Sequence, residues 1–462
     1  MSLERGGNET VRLCVSGTGT DHKFDRQKRV GEPNALVIAS PASGGGKTTL
    51  TLALLRALKN HGLKIVSAKS GPDYIDPAFH QASSGAPCIN LDAWAMDEAY
   101  LRASAMRHAE QADLLVIEGA MGLFDGAANG KGSVADLSAV LGAPVVLVVD
   151  CVRQSQSVAA LVHGFRSFRS DVNVCGVILN RVASARHEAM LRGALAQIAC
   201  PVFGALPRQD ALILPERHLG LVQAREHGDL EGFIERAARQ CEDCVDLSAV
   251  LAASQPLSAS GSGLALSLPP LGQHVCIAQD DAFSFTYPHL LQDWRSAGTQ
   301  VSFFSPLADE APDAGADAIY LPGGYPELYA GQLAAAKNFK AGMQMAAKRS
   351  SLIYGECGGY MTLGETLVDA AGEHHEMLGL LPLDTSFAER KRHLGYRVLT
   401  PQTDLPWQQK LSAHEFHYAS VVREGAGAPL FQATDANGTS LGPMGLRVGR
   451  VMGSFAHVIG PR

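Results

Sequence analysis

Two groups of residues in this chain could do chemistry, and they lie in opposite halves of it. The first is Ser43-Gly44-Gly45-Gly46-Lys47-Thr48-Thr49. Three glycines let backbone N–H groups converge on phosphate oxygens with no Cβ in the way. Lys47 would then reach the β/γ-phosphates, Thr48 would offer its hydroxyl to Mg²⁺, and the start of the following helix would favour the negative charge. Pro41 stands where a strict P-loop has its first glycine. The plain alternative is a glycine turn leading into an ordinary helix.

Further along, the apolar run Leu114–Ile117 ends in Glu118. A carboxylate at the end of a strand beside a P-loop coordinates the nucleotide's Mg²⁺, directly or through water. Between the two comes Lys69-Ser-Gly-Pro-Asp73-Tyr74-Ile-Asp76, read as a Gly/Pro-rich loop after a short strand. Lys69 there would meet a carboxylate or phosphate, and Asp73 and Asp76 would hold Mg²⁺; a solvated turn is the alternative. Asn180 ends another apolar run, where its amide could read an adenine edge, although a lone Asn is more often a turn residue.

The second group centres on Cys357. It follows the strand-like Ser351-Leu-Ile-Tyr-Gly-Glu and precedes two glycines and a helix-like run. A thiol on such a sharp strand-to-helix turn stands clear of the sheet, beside amides that stabilise an oxyanion. Gly323 and Gly324, at another strand end, would add oxyanion donors. His457, at the end of a late strand, would be the base. A buried structural cysteine is the alternative, which the Gly-Glu-Cys-Gly-Gly setting disfavours.

The elements that must position these groups read as α/β throughout. Apolar runs at 64–68, 114–118, 144–150, 174–180 and 202–207 alternate with helix-length segments, which predicts a doubly wound, mostly parallel P-loop domain over 35–250. Residues 251–273 are almost all Ala, Ser, Pro, Gly and Leu, without charge, which reads as a linker. A second α/β series over 274–462 opens with Val275-Cys-Ile-Ala and continues through runs at 300–304, 317–321 and 351–356. It closes with half-buried strands at 395–399, 417–422 and 446–452. Residues 1–34, polar and of mixed charge, read as a mobile extension.

Composition narrows the class. With 462 residues, 46% hydrophobic and 18% charged, and 48 glycines, the chain suits a glycine-punctuated α/β enzyme of two or three domains. A net charge of −7 gives no reason to expect nucleic acid or an anionic membrane as partner. No apolar run is long enough to span a membrane, and nothing resembles a secretion signal. Nine scattered cysteines fit a reducing, cytoplasmic setting, and the lone Cys241-x-x-Cys244 reads as incidental.

Taken together, these stretches resemble the family of cobyrinic and hydrogenobyrinic acid a,c-diamide synthases. The resemblance covers about residues 35–460. It is carried by the P-loop, by Lys69–Pro77, by Glu118-Gly-Ala-Met-Gly-Leu-Phe-Asp125-Gly, by Leu321-Pro-Gly-Gly-Tyr-Pro-Glu, by Gly355-Glu-Cys-Gly-Gly-Tyr-Met and by His414-Glu-Phe-His-Tyr. The family tolerates the missing first P-loop glycine. Its first domain is similar to dethiobiotin synthetase, and its second to a class I, flavodoxin-like glutamine amidotransferase.

The resemblance implies a two-site reaction on a corrinoid or related tetrapyrrole. Cys357 and His457 would hydrolyse L-glutamine. Ser43 to Thr49, with Asn180, would bind ATP, and Thr48, Asp76 and Glu118 would hold Mg²⁺. Lys69, Asp73, Tyr74, Asp76 and Asp125 would serve the substrate and its acyl phosphate, which ammonia displaces. Ammonia would pass between the sites by an enclosed route. The usual triad acid would lie two residues past the histidine, where Ile459 stands, so the third member is left open. The oligomeric state is open too, with a homodimer as the candidate. Cobyric acid synthase and nickel-sirohydrochlorin a,c-diamide synthase are the near alternatives; a P-loop switch ATPase is the distant one.

Overall fold

Residues Ala35–Ala39 are buried on both faces, so the strand Asn34–Ala39 (β1) lies inside a sheet rather than at its edge. The computed structural model describes residues 33–208, 216–217, 220–221, 224–257, 267–402 and 405–462. The expected N-terminal extension, apart from its last two residues, and the middle of the expected linker lie outside the described residues.

Beyond β1 the first sheet contains Ile65–Ser70 (β2), Cys88–Leu91 (β3), Leu114–Glu118 (β4), Val145–Asp150 (β5), Val174–Val182 (β6) and Val202–Pro207 (β7). They pair in parallel in the order β3-β2-β4-β1-β5-β6-β7. Helices Lys47–Asn60 (α1) and Asp76–Ser84 (α2) leave the carboxyl ends of β1 and β2. The P-loop, the turn after β2 and the turn after β4 therefore share one edge, where open α/β sheets place their ligands.

Three expectations need correction here. First, β2 runs through Ser70 and Asp76 opens α2, so Lys69 is a buried strand residue and the loop is only residues 71–75. Second, β3 was not anticipated: four residues carry too short an apolar signal. Third, the linker begins later than its composition suggested. Leu247–Ala253 is a helix, and Gln255 and Pro256 pair antiparallel with Ala35 and Asn34. Ala, Ser and Leu without charge are as compatible with a helix as with a tether.

The second sheet contains His274–Ala278 (β8), Gln300–Phe304 (β9), Ala318–Leu321 (β10), Leu352–Glu356 (β11), His393–Pro401 (β12), Leu411–His417 (β13), Ala428–Asp435 (β14), Ser440–Val448 (β15), Val451–Ser454 (β16) and Ala456–Pro461 (β17). Its order is β9-β8-β10-β11-β16-β15-β14-β12-β13-β17, parallel as far as β16 and antiparallel beyond. Two expected strands are broken. At 446–452 the chain reverses between β15 and β16, with Gly449 at φ 61°. At 417–422 it leaves β13 after His417, and Ser420–Glu424 joins a separate small sheet. Apolar alternation continues through both turns, so periodicity alone could not place them.

The halves are fastened together through buried polar contacts. Tyr100 and Arg107 of the first reach Asp293 of the second, at 2.5 and 2.8 Å. Tyr396 donates to Asp92 at 3.0 Å, and the Arg462 guanidinium lies 4.2 Å from the Trp94 ring centroid. No helix among the described residues is long and apolar enough to cross a membrane.

Candidate active site

The P-loop passes from β1 into α1 through Gly46, whose left-handed backbone (φ 85°) caps the helix. A Cβ there would overlap the Asn180 amide, so glycine is required on two counts. Asn180 Nδ2 donates to the Gly45 carbonyl at 3.0 Å, bracing the loop from β6. Ser43 and Gly44 are exposed and Thr49 is half-buried in the first turn of α1. Lys47 is buried and donates to Ser40 Oγ at 2.9 Å and to the Met121 carbonyl at 2.6 Å. Burial pushes its amine down to about 8, and an arriving phosphate would favour the charged form again and pair with it.

Below Lys47 lies a closed charge cluster around Glu118. Its Oε1 accepts from Thr48 Oγ1 at 2.6 Å and Lys69 Nζ at 2.8 Å, and its Oε2 lies 2.6 Å from His80 Nε2. Lys69 also reaches Asp76 at 2.5 Å. Burial opposes the charge on every member, yet Lys69 and His80 hold Glu118 well below the usual carboxylate range. Asp76, buried and facing Asp73, is pushed up to about 6. For His80, the surroundings of Cys88 and Glu118 outweigh burial and raise the ring to about 10. Thr48, Asp76 and Glu118 form an all-oxygen donor set, which fits Mg²⁺ in kind. The cation that the structure places between the two carboxylates is the Lys69 ammonium.

The remaining residues of this half have unequal roles. Asp73 Oδ1 accepts from the amides of Ile75 and Asp76 at 2.8 and 3.1 Å, so it caps the entry to α2. Asp125 Oδ2 accepts from the Gly122 amide at 2.9 Å and stands at the edge of a cavity of about 650 Å³. Residues 70–75, 120–121 and 125–128, with Gly132 and Val134, line one side of that cavity. Phe285, Tyr396, Arg397, His414 and Phe416 of the second half line the other.

Cys357 sits at the end of β11 with φ 48° and ψ −102°, a strained turn that a side chain other than glycine rarely takes. It is buried, its Sγ 4.0 Å from the Phe416 carbonyl. Burial, helped by Glu327, raises the thiol far above its ordinary range. His457 is brought to the same end of the sheet by the β13–β17 register, His414 opposite His457. Burial, with His414 and His417, pushes its ring down to about 3. Gly323 lies against it, since a Cβ there would overlap Cε1 of the imidazole. Gly324 packs with equal closeness on the Ala282 carbonyl.

Successive side chains of β13 point to opposite sides of the strand. His414 and Phe416 line the cavity. Glu415 instead pairs with His417 Nε2 at 2.9 Å and Arg397 Nε at 2.7 Å. The His393 and His417 rings stack at 4.6 Å and 5°, so their nitrogens lie in parallel planes rather than aiming at one ion. Arg397, Glu415 and His417 form a hydrogen-bonded network.

Residues 36–222 match the CobQ/CobB/MinD/ParA nucleotide binding domain, and residues 274–461 match the CobB/CobQ-like glutamine amidotransferase domain. The hydrogenobyrinate a,c-diamide synthase of Brucella anthropi is 60% identical over 425 residues, covering 92% of this chain and 98% of that protein. Its namesake in Rhizobium meliloti is 60% identical over 426 residues, covering 92% and 99%. That of Mesorhizobium japonicum is 49% identical over 431 residues, covering 92% and 98%. The chain belongs to this family. Like other hydrogenobyrinate a,c-diamide synthases it carries a nucleotide-binding and a glutamine amidotransferase domain, the equipment of an ATP-using, glutamine-dependent ligase.

In this member of the diamide synthase family, sequence reasoning missed His80, Glu356 and the cavity wall from β12 and β13. His80 had a readable signal, since it follows Asp76 by four residues and so shares its face of α2. Glu356 had one too, as a carboxylate directly before Cys357. His414 and Phe416 of the wall lie in a stretch that carries the resemblance, but only strand pairing brings the wall to the first domain.

Proposed function

We propose that this protein converts the a and c acetate carboxylates of hydrogenobyrinic or cobyrinic acid to amides, using ATP and glutamine. The observation that carries this reading is the placement of the cavity. It opens beside Met121, whose carbonyl holds Lys47, and Tyr74 on its wall lies 4.8 Å from the His457 ring. Carboxylate activation and ammonia release would therefore meet at one acceptor site.

The steps follow from ordinary reactivity. A carboxylate is a poor electrophile, so its oxygen attacks the γ-phosphorus, ADP leaves, and an acyl phosphate forms. Lys47 and the P-loop amides would neutralise the β/γ-phosphates, with Mg²⁺, held by Thr48, Asp76 and Glu118, adding charge when bound. Ammonia then attacks the acyl carbon and phosphate departs. In the second domain the Cys357 thiolate attacks the glutamine amide, His457 gives the proton to the departing ammonia, and water releases glutamate. Gly323 and Gly324 would supply oxyanion amides.

Incubation with ATP, Mg²⁺, glutamine and either macrocycle, followed by mass spectrometry, should give a monoamide and then a diamide. With ¹⁸O in the substrate carboxylates, one label per amide should appear in phosphate. Cys357→Ser should lose glutamine-dependent synthesis and keep synthesis from added ammonia. Unlabelled phosphate would sink the acyl phosphate, and failure of ammonia to rescue the variant would sink the division into two sites.

A further inference from the structure

Glu356 closes β11 one residue before Cys357 and is buried, about 1% exposed. Its Oε2 accepts from Tyr320 at 2.7 Å, and its Oε1 from Tyr354 at 3.0 Å and from the Val458 amide at 3.0 Å. Val458 follows His457, so the carboxylate grips the backbone of the base. Oε2 also lies 3.8 Å from His457 Nδ1.

His457 itself is about 1% exposed, and neither ring nitrogen has a hydrogen-bond partner among the described residues. An imidazole buried with both nitrogens unpaired is costly and calls for a partner. The position where a triad acid would follow the histidine holds Ile459, a buried aliphatic side chain. Glu415, the other buried carboxylate nearby, is already paired with Arg397 and His417. Glu356 has an oxygen beside Nδ1.

We infer that Glu356 is the acidic positioning residue of the glutaminase centre. Its ionised carboxylate accepts a hydrogen bond from Nδ1–H of His457 and leaves Nε2 as the basic nitrogen. When the thiol proton moves from Sγ to Nε2, the carboxylate faces the imidazolium that results. As the new S–C bond forms and the C–N bond breaks, the Nε2 proton leaves with ammonia. The acid thus comes from the residue before the nucleophile, on β11 rather than on the strand of the base. Tyr320 and Tyr354 fix its direction, so a shift of the imidazole by less than one ring width completes the contact.

The surroundings make the assignment readable in a pH profile. Tyr320 on β10, Tyr354 on β11 and the Val458 amide on β17 face Glu356. His414, Glu415 and His417 on β13 face His457 from the other side. Burial raises Glu356 to about 7, while the Tyr320 hydrogen bond pulls the other way. Only the ionised carboxylate stabilises an imidazolium, so the acid limb of glutaminase activity should follow this group.

The inference rests on the glutaminase proposed for Cys357 and His457, and Cys357→Ser separates the two. Glu356→Gln keeps the acceptor for Val458 and removes the charge. Its glutaminase kcat should fall about 100-fold with KM little changed, the low end of general acid–base contributions. Ammonia-dependent synthesis should persist. Tyr320→Phe removes one donor and should move the acid limb to higher pH. If Cys357→Ser abolishes glutaminase while Glu356→Gln keeps wild-type kcat and acid limb, the assignment is overturned and the glutaminase stands. If Cys357→Ser keeps glutaminase, the centre itself is wrong. Should Glu356→Gln fail to fold, Tyr320→Phe decides alone, and an unmoved acid limb overturns the assignment.

Discussion

The ring of Tyr74 lies 4.8 Å from the ring of His457, tilted by 42°, although the two residues belong to different halves of the chain. Tyr74 also stacks on Phe285 at 5.0 Å, and its hydroxyl donates to Tyr287 at 2.6 Å. Tyr74 and Phe285 both line the cavity. The acceptor cavity and the buried imidazole thus share a wall one side chain thick. Each ring contact contributes on the order of 1 kcal/mol, small enough for a bound macrocycle to displace.

Tyr74→Ala should open that wall. Glutamine hydrolysis should then run without ATP and acceptor, and the ratio of glutamate formed to amide formed should rise well above one. Tyr74→Phe keeps the ring stack and should stay close to the wild-type ratio. Parallel assays of glutamate and amide decide it; a ratio unchanged in the alanine variant would remove Tyr74 from the coupling.

His80 holds one oxygen of Glu118, and both side chains are fully buried. His80→Ala leaves that oxygen unpaired, a loss of about 1–3 kcal/mol at the charge cluster. If Glu118 holds Mg²⁺ as proposed, amidation from ATP and ammonia should fall about 10–100-fold, the usual cost of removing a partner that orients a metal ligand. Glutaminase activity should be spared, because the cluster belongs to the first domain and Cys357 and His457 to the second. An equal loss in both assays would mean a general folding defect instead.

The parts of this arrangement that could be read from the sequence are those in which one short segment carries strand, turn and chemistry together. Ser43–Thr49 and Gly355–Gly359 are of this kind, and Leu114–Glu118 matches β4 residue for residue. Asp73 and Asn180 were legible as polar residues at strand or loop ends, but not their hydrogen bonds. Asp73 caps α2 and Asn180 braces the P-loop carbonyl. Lys69 was anticipated as a ligand group, yet its carboxylate partners are Asp76 and Glu118 of its own chain. The turn at Gly449 was lost because apolar alternation runs on through β15 and β16. Long-range pairing, such as His414 opposite His457, leaves no local trace.

Gly323 touches His457 through the absence of a side chain. A Cβ at this position would overlap Cε1 of the imidazole, so Gly323→Ala must displace the base or the turn. A displacement near 1 Å costs about 100-fold in rate when a catalytic group must be aligned. Glutamine-dependent synthesis should therefore collapse while ammonia-dependent synthesis continues, with no large change in melting temperature. Retention of full glutaminase activity would show that the base tolerates the shift.

His289 gives the fold itself a pH dependence. It is buried where the chain of the second half enters its first long helix, and its Nε2 lies 2.8 Å from the Ile459 carbonyl. Burial pushes the ring down to about 4 from an ordinary 6.5, with Asp293 and Arg107 acting in opposite directions. The folded protein therefore keeps His289 neutral, whereas the unfolded chain takes up a proton as pH falls through 6.5. Because the unfolded state binds more protons in this window, stability is lost as pH falls from about 6.5 towards 4. The full loss from this one ring is on the order of 3 kcal/mol. His289→Gln retains a donor and does not titrate, so its melting temperature should fall less steeply over the same range. His414 and His457, also pushed down, and Asp92 and Glu356, pushed up, titrate in both proteins and cancel from the difference. Thermal unfolding of both proteins across the window measures it, and parallel curves would place the acid sensitivity elsewhere.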